Sequence, residues 1–140
     1  FAVIDLLLNE YKRPGKAAGG GFYEYPGRGQ KHLWSELKTR FEKADGQISP
    51  KDVRDRLLFV QAIETVRCVE AGVLTSTADA NVGSIFGIGF AAWTGGALQF
   101  INQYGVQDFV ARAQYLAGQY GERFAPPALL LEKAAKGEAF

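Results

Sequence analysis

SPKDVRDRLLFVQAIETVRCVEAG, residues 49 to 72, reads as one long helix with a marked start and a marked end. Ser49 is a side-chain acceptor at the N-cap, Pro50 suits the first helical position, and Asp52 follows the cap by three residues. The acid imitates a capping box, though Asp reaches back to the cap less well than Glu. Val53, Leu57, Val60, Ala62, Ile63, Val66 and Val69 are expected to form a wide apolar face. Gly72 stands where a left-handed residue ends a helix.

The same logic extends downstream. Ser76 and Asp79 predict a short helix through Ile85, with Gly87 to Phe90 breaking it. Thr94 is expected to cap a helix running through Ala97, Leu98 and Ile101 to Gly105. Val106, Phe109, Val110, Ala113, Leu116, Ala117 and Tyr120 give another helical face, closed by Gly121. Pro126-Pro127 forces a corner before a last helix, Ala128 to Lys136, ended by Gly137.

Upstream, Phe1 to Tyr11 reads as the end of an amphipathic helix, with Val3, Ile4, Leu7, Leu8 and Tyr11 at helical spacing, stopped by Arg13-Pro14-Gly15. Gly15 to Gly21 leads into Phe22, Tyr23 and Tyr25, expected to be a short extended segment pinned onto a core. Residues 26–49 are polar and charged, the best candidate for a linker, with a short helix around Leu33 to Lys43. No stretch alternates as a half-buried strand does, so the predicted fold is an all-α helical bundle.

Composition narrows the function classes. A 140-residue chain with 47% hydrophobic residues can bury a real core, and its net charge of +1 supplies no field for nucleic acid or a membrane surface. Eleven of 16 basic residues precede Leu57; a mildly basic loop region is the ordinary explanation and phosphate contact the sharper one. Cys68 is the single cysteine, so an internal disulfide and a cysteine-based zinc site are ruled out. His32 is the single histidine, and nothing in the sequence brings it to Cys68. No stretch has the apolar length of a membrane span, and no signal peptide opens the chain. A chain beginning at Phe1 within a helical pattern is expected to be cut from something longer.

Each candidate for chemistry has a plainer structural role. Phosphate-binding glycines lie between a strand and a helix, whereas Gly15 to Gly21 follows a helix and precedes Phe-Tyr-Glu-Tyr, so a structural turn is expected. Glu64 and Glu70 could suggest a general base, but Arg67 lies three residues from each and predicts a surface charge network. Asp79 is explained by helix-start stabilisation. Phe90 and Trp93 sit in an aromatic and small-residue corner, either core or an edge that docks onto a partner domain. The sequence therefore assigns no catalytic, cofactor-binding or metal-ligating residue.

Two motifs in order carry a family resemblance. ETVRCVEAGVL (64–74) and TADANVGSIFGIGFAAWTGGALQFINQYG (77–105) resemble the last domain of the bacterial multifunctional fatty-acid oxidation α-subunit, whose pattern is ETVRCLEEGI followed by GxGFPPFRGGxLRYxD. The tail from Phe109 to Phe140 follows it too. Arg13 to Tyr25 is similar to the RxGxKxGxGFYxY ending of the preceding 3-hydroxyacyl-CoA dehydrogenase helical repeat. The resemblance implies that residues 1–25 are the tail of that repeat, 26–48 a linker, and 49–140 a second helical repeat. The implied fold is that of the C-terminal domain of 3-hydroxyacyl-CoA and 6-phosphogluconate dehydrogenases.

The implied parent is a cytoplasmic, NAD-dependent 3-hydroxyacyl-CoA dehydrogenase of β-oxidation with enoyl-CoA hydratase activity, acting on acyl-CoA. The implied partners are the Rossmann domain and first repeat of the same chain, with a homodimer of the fragment and a thiolase subunit left open. The dehydrogenase residues of the family have no matching positions here. Ala91-Ala92-Trp93-Thr94, Gln99 and Asn102 depart from the pattern, and Ala17 replaces its Lys. Two alternatives stand beside this: a free-standing helical interaction domain, and a CoA-ester binder using Lys12, Arg13, Lys16 and the aromatic cluster.

Overall fold

A computed structural model describes residues 2–42 and 46–140. Phe1 and Lys43, expected at the ends of two helices, lie outside the described residues. The chain divides into two compact units, Phe1–Gln47 and Ile48–Phe140.

In the first unit, α1 (Ala2–Asp5) runs into a π-helical turn over Leu6–Glu10. Of the expected apolar face, Leu7 is buried while Val3, Ile4 and Leu8 are exposed, because this small unit buries only Leu7 and Trp34 among its described apolar residues. A short antiparallel hairpin pairs β1 (Tyr23–Glu24) with β2 (His32–Leu33), and α2 follows over Glu36–Phe41. Phe22 and Tyr23 are exposed rather than pinned onto a core. The pin is Arg13. Its Nε donates to the Gly21 carbonyl at 2.9 Å, its guanidinium pairs with Glu24, and it lies 4.5 Å over the Trp34 ring.

The second unit is a bundle of α3 (Pro50–Glu70), α4 (Thr77–Ile88), α5 (Ala97–Tyr104), α6 (Val106–Tyr120) and α7 (Ala128–Lys136). Phe59 of α3 sits at its centre. The ring stacks on Phe109 with centroids 4.0 Å apart and meets Phe100 and Tyr104 edge-on at 5.9 and 5.2 Å. Ala62, Ile63 and Val66 complete the inward stripe of α3. Val53 and Leu57, expected on that stripe, are exposed instead. The stripe runs 52-55-59-62-66, a three-four spacing that puts aspartates, not valine and leucine, on the inner face of the first turns.

Those aspartates are closed by α6. Arg112 Nε donates to Asp55 at 2.8 Å, and its other nitrogen pairs with Asp52. The Tyr120 hydroxyl donates to Asp52 at 2.7 Å, and Lys51 pairs with Asp55 at 2.6 Å. Ser49 still caps α3, accepting from the Asp52 amide at 3.1 Å, but the Asp52 carboxylate serves the α3–α6 contact. The hydrogen bonds from Tyr120 and Arg112 hold the Asp52 carboxyl below the usual carboxylate range. Burial pushes Asp55 up, but Lys51 and Arg112 outweigh it and leave that carboxyl lowered as well. Tyr120 is raised, chiefly by the same bond to Asp52.

Helix ends in this unit are closed across elements. α4 continues through Gly87 to Ile88, past the expected break, and stops at Gly89 in the left-handed conformation. Thr94 caps only its own turn, accepting from the Gly96 amide at 3.2 Å. The start of α5 is instead closed by α4. Asn81 Oδ1 accepts from the Leu98 and Gln99 amides at 3.0 Å, and Ser84 Oγ accepts from Ala97 at 3.0 Å. This needs close approach at Gly96, where an added Cβ would lie 2.5 Å from Asn81 Cα.

Asn81→Ala should cost about 1–2 kcal/mol in urea denaturation, the usual worth of a helix cap. Gly96→Ala should cost more, about 2–4 kcal/mol, because it adds both a clash and a side chain at φ 114°. Because the folded state lowers both aspartyl pKa values, their stabilisation is fully present above the ordinary carboxylate range. It fades as pH falls through the lowered folded values. Arg112→Gln should therefore lower the thermal midpoint at neutral pH and flatten its fall in acid, with a smaller effect from Lys51→Gln, whose parent side chain is mostly exposed.

Candidate functional site

The glycine segment is a closed turn. The Gly15 amide donates to Gly20 at 2.7 Å, Gly20 returns to Gly15 at 3.1 Å, and Gly19 and Gly21 donate to Lys16 and Tyr23. With these amides used internally and Arg13 committed to the hairpin, the turn does not fit a dinucleotide phosphate. Glu64 pairs with Arg67 at 3.1 Å, as its spacing predicts. Glu70 does not join them; it accepts from the Leu129 amide at 2.7 Å and closes the start of α7. The Asp79 amide donates to Ser76 Oγ at 3.0 Å, as a helix start requires.

Cys68 is half-buried. It lines an apolar groove of about 310 Å³ between α3 and α4 with Gln61, Thr65, Leu74, Ser84 and Ile88. The Thr65 hydroxyl donates to Gln61 O at 2.9 Å, and Ser84 donates to Asn81 O at 2.8 Å while accepting from Ala97. Both hydroxyls are thus spent on the fold, and neither has a base partner among the described residues. The described residues hold no group of three or more His, Cys, Asp and Glu arranged for a metal ion, and no helix long and apolar enough to cross a membrane.

What the second unit offers is uncovered apolar surface. Phe90 enters the core, but Trp93, three residues on, is 78% exposed. On α4, Phe86 is 85% exposed and Val82, one turn before it, is also out; Val73 and Ile88 are exposed as well. Asn102, where the family pattern has Asp, exchanges two hydrogen bonds with the Phe140 backbone, donating at 3.2 Å and accepting at 2.9 Å. A carboxylate could only accept, so the amide fits this tie better. Sequence reasoning did not find the Asp52–Asp55–Arg112–Tyr120 cluster; its one available signal was the helical spacing of the two acids with Phe59.

No family model matches the chain. Among curated proteins it is similar to the fatty acid oxidation complex subunit alpha of Vibrio vulnificus (strain CMCP6), 36% identical over 138 residues, which is 99% of this chain and 19% of that protein. The corresponding proteins of Vibrio parahaemolyticus and Vibrio campbellii are 35% identical over 138 residues, 20% of each. The chain spans about a fifth of the length of the curated relatives it matches. Along nearly its whole length, then, the chain is related to a segment of the fatty acid oxidation complex α-subunit and is consistent with a fragment of one.

Proposed function

We propose that this chain is the C-terminal helical region of an NAD-dependent 3-hydroxyacyl-CoA dehydrogenase of fatty-acid β-oxidation, a cytoplasmic enzyme that also hydrates enoyl-CoA. In this reading residues 1–25 are the tail of the preceding helical repeat, 26–48 a linker, and 49–140 the second repeat. The carrying observation is the 36% identity that spans 99% of this chain but only 19% of its relative. NAD, the acyl-CoA substrate and the catalytic residues all belong to parts of the parent outside these residues, and this region contributes no catalytic, cofactor-binding or metal-ligating side chain. Its role is architectural. The exposed Phe86 and Trp93 support packing against the catalytic dehydrogenase part of the parent, because burying two such rings supplies the apolar contact an intramolecular interface needs. A thiolase subunit is a further partner of the parent in this reading.

The purified 140-residue chain should form no NADH from NAD and a 3-hydroxyacyl-CoA; turnover would sink the non-catalytic assignment. Deprived of its partner surface, the chain should also self-associate in light scattering as concentration rises. Phe86→Ser combined with Trp93→Ser should return it to monomer mass. A wild-type chain that stays monomeric throughout would remove the docking role from this face.

A further inference from the structure

A second groove, about 310 Å³, lies between the outer side of α3 and the turn Glu122–Phe124 that follows α6. Its lining is Val53, Arg56, Leu57, Val60, Arg123 and Phe124, with no acidic side chain. This surface is separate from the α4 face, and the inference from it does not depend on the β-oxidation reading. Arg56 is the unusual member. Its guanidinium lies 4.5 Å over the Tyr120 ring, and its Nε is buried with no hydrogen-bond partner, the one such buried side-chain atom among the described residues. Stacking uses the face of a guanidinium and leaves its in-plane N–H groups available.

Arg56 pairs with neither Asp52 nor Asp55. Asp52 is taken by Arg112 and Tyr120, and Asp55 by Arg112 and Lys51. The Arg123 guanidinium lies 5.6 Å from the centroid of the Phe124 ring and makes no ion pair among the described residues. The groove therefore combines two uncompensated guanidinium groups with aliphatic side chains, of which Leu57 is 63% exposed. Two arginines on a chain of net charge +1, next to the exposed Glu122, are too few for a nucleic-acid track or an anionic bilayer.

We propose that this groove docks a polypeptide segment of the opposite character, one that presents an Asp or Glu carboxylate flanked by apolar side chains. The carboxylate bridges the guanidinium groups of Arg56 and Arg123, while the flanking apolar groups cover Leu57 and Val53. Charge-assisted bonds at a partly enclosed guanidinium set register, and the aliphatic floor supplies the burial.

Selection of a random peptide library displayed on phage against the intact 140-residue chain tests this, with an Arg56→Gln/Arg123→Gln variant as the counter-target. The selected sequences should be enriched in Asp or Glu beside Leu, Ile, Val or Phe. A synthetic peptide of the selected consensus should bind the wild type at least about tenfold more tightly than the variant and than its own Gln-for-Glu form. Arg123→Gln alone, at an exposed side chain beside the buried Phe124, should already weaken binding while leaving the thermal midpoint and helical circular dichroism unchanged. Selection without acidic enrichment, no selection at all, equal binding by the single and double variants and wild type, or retention of the chain by phosphatidylglycerol vesicles that is lost with the two arginines would each overturn the proposal.

Discussion

The second unit depends on one contact, the stacking of Phe59 on Phe109. Through it α3 and α6 share a face, and through the edges of Phe100 and Tyr104 the same ring orders α5. A phenylalanine fully enclosed by three aromatic neighbours removes a large apolar area from water and fixes three helices at once. The position also sets the rotation of α3. With Phe59 inward, the three-four rhythm requires Asp55 and Asp52 to point inward too. Two acids on an inner face are tolerable only with charged partners, and α6 provides Arg112 and Tyr120 at those heights.

That rotation explains both what the outside of α3 offers and why it is available. Val53, Leu57 and Arg56 are turned away from the bundle centre because the aspartates are not. Arg56 makes no ion pair with Asp52 or Asp55, both of which pair with Arg112. The same economy of partners appears at the helix ends, where α4 side chains close α5 and Glu70 closes α7. Polar groups that looked available for chemistry in isolation are spent on satisfying backbone donors. The exposed surface of the second unit includes the large apolar side chains Phe86 and Trp93.

Much of the helical framework was legible because its punctuation is local. Ser49 and Pro50 start α3, Ser76 starts α4, and glycines at 89, 121 and 137 end helices where a left-handed or extended residue is wanted. The face of α3 was misread because hydrophobicity alone ranked Val53 and Leu57 above Asp52 and Asp55; their burial depends on Arg112, sixty and fifty-seven residues away. Asn81 as a cap for α5 was equally invisible, since nothing in its own neighbourhood marks a partner seventeen residues on. The corner at Phe90 and Trp93 was divisible into core and docking readings, and the structure splits it, one ring inside and one outside. The groove at Arg56 and Arg123 was not legible in the sequence, because it is made by elements distant in the chain.

Residues 48–140 hold together around Phe59 as a self-contained helical body. Native-state hydrogen exchange on the 140-residue chain tests it most directly. The slowest amides should cluster on α3 and α6 around Phe59 and Phe109 and exchange together with those of α5, as one cooperative unit. Exchange of the α3 and α6 amides near the rates of an unfolded chain, with protection only in isolated segments elsewhere, would contradict it.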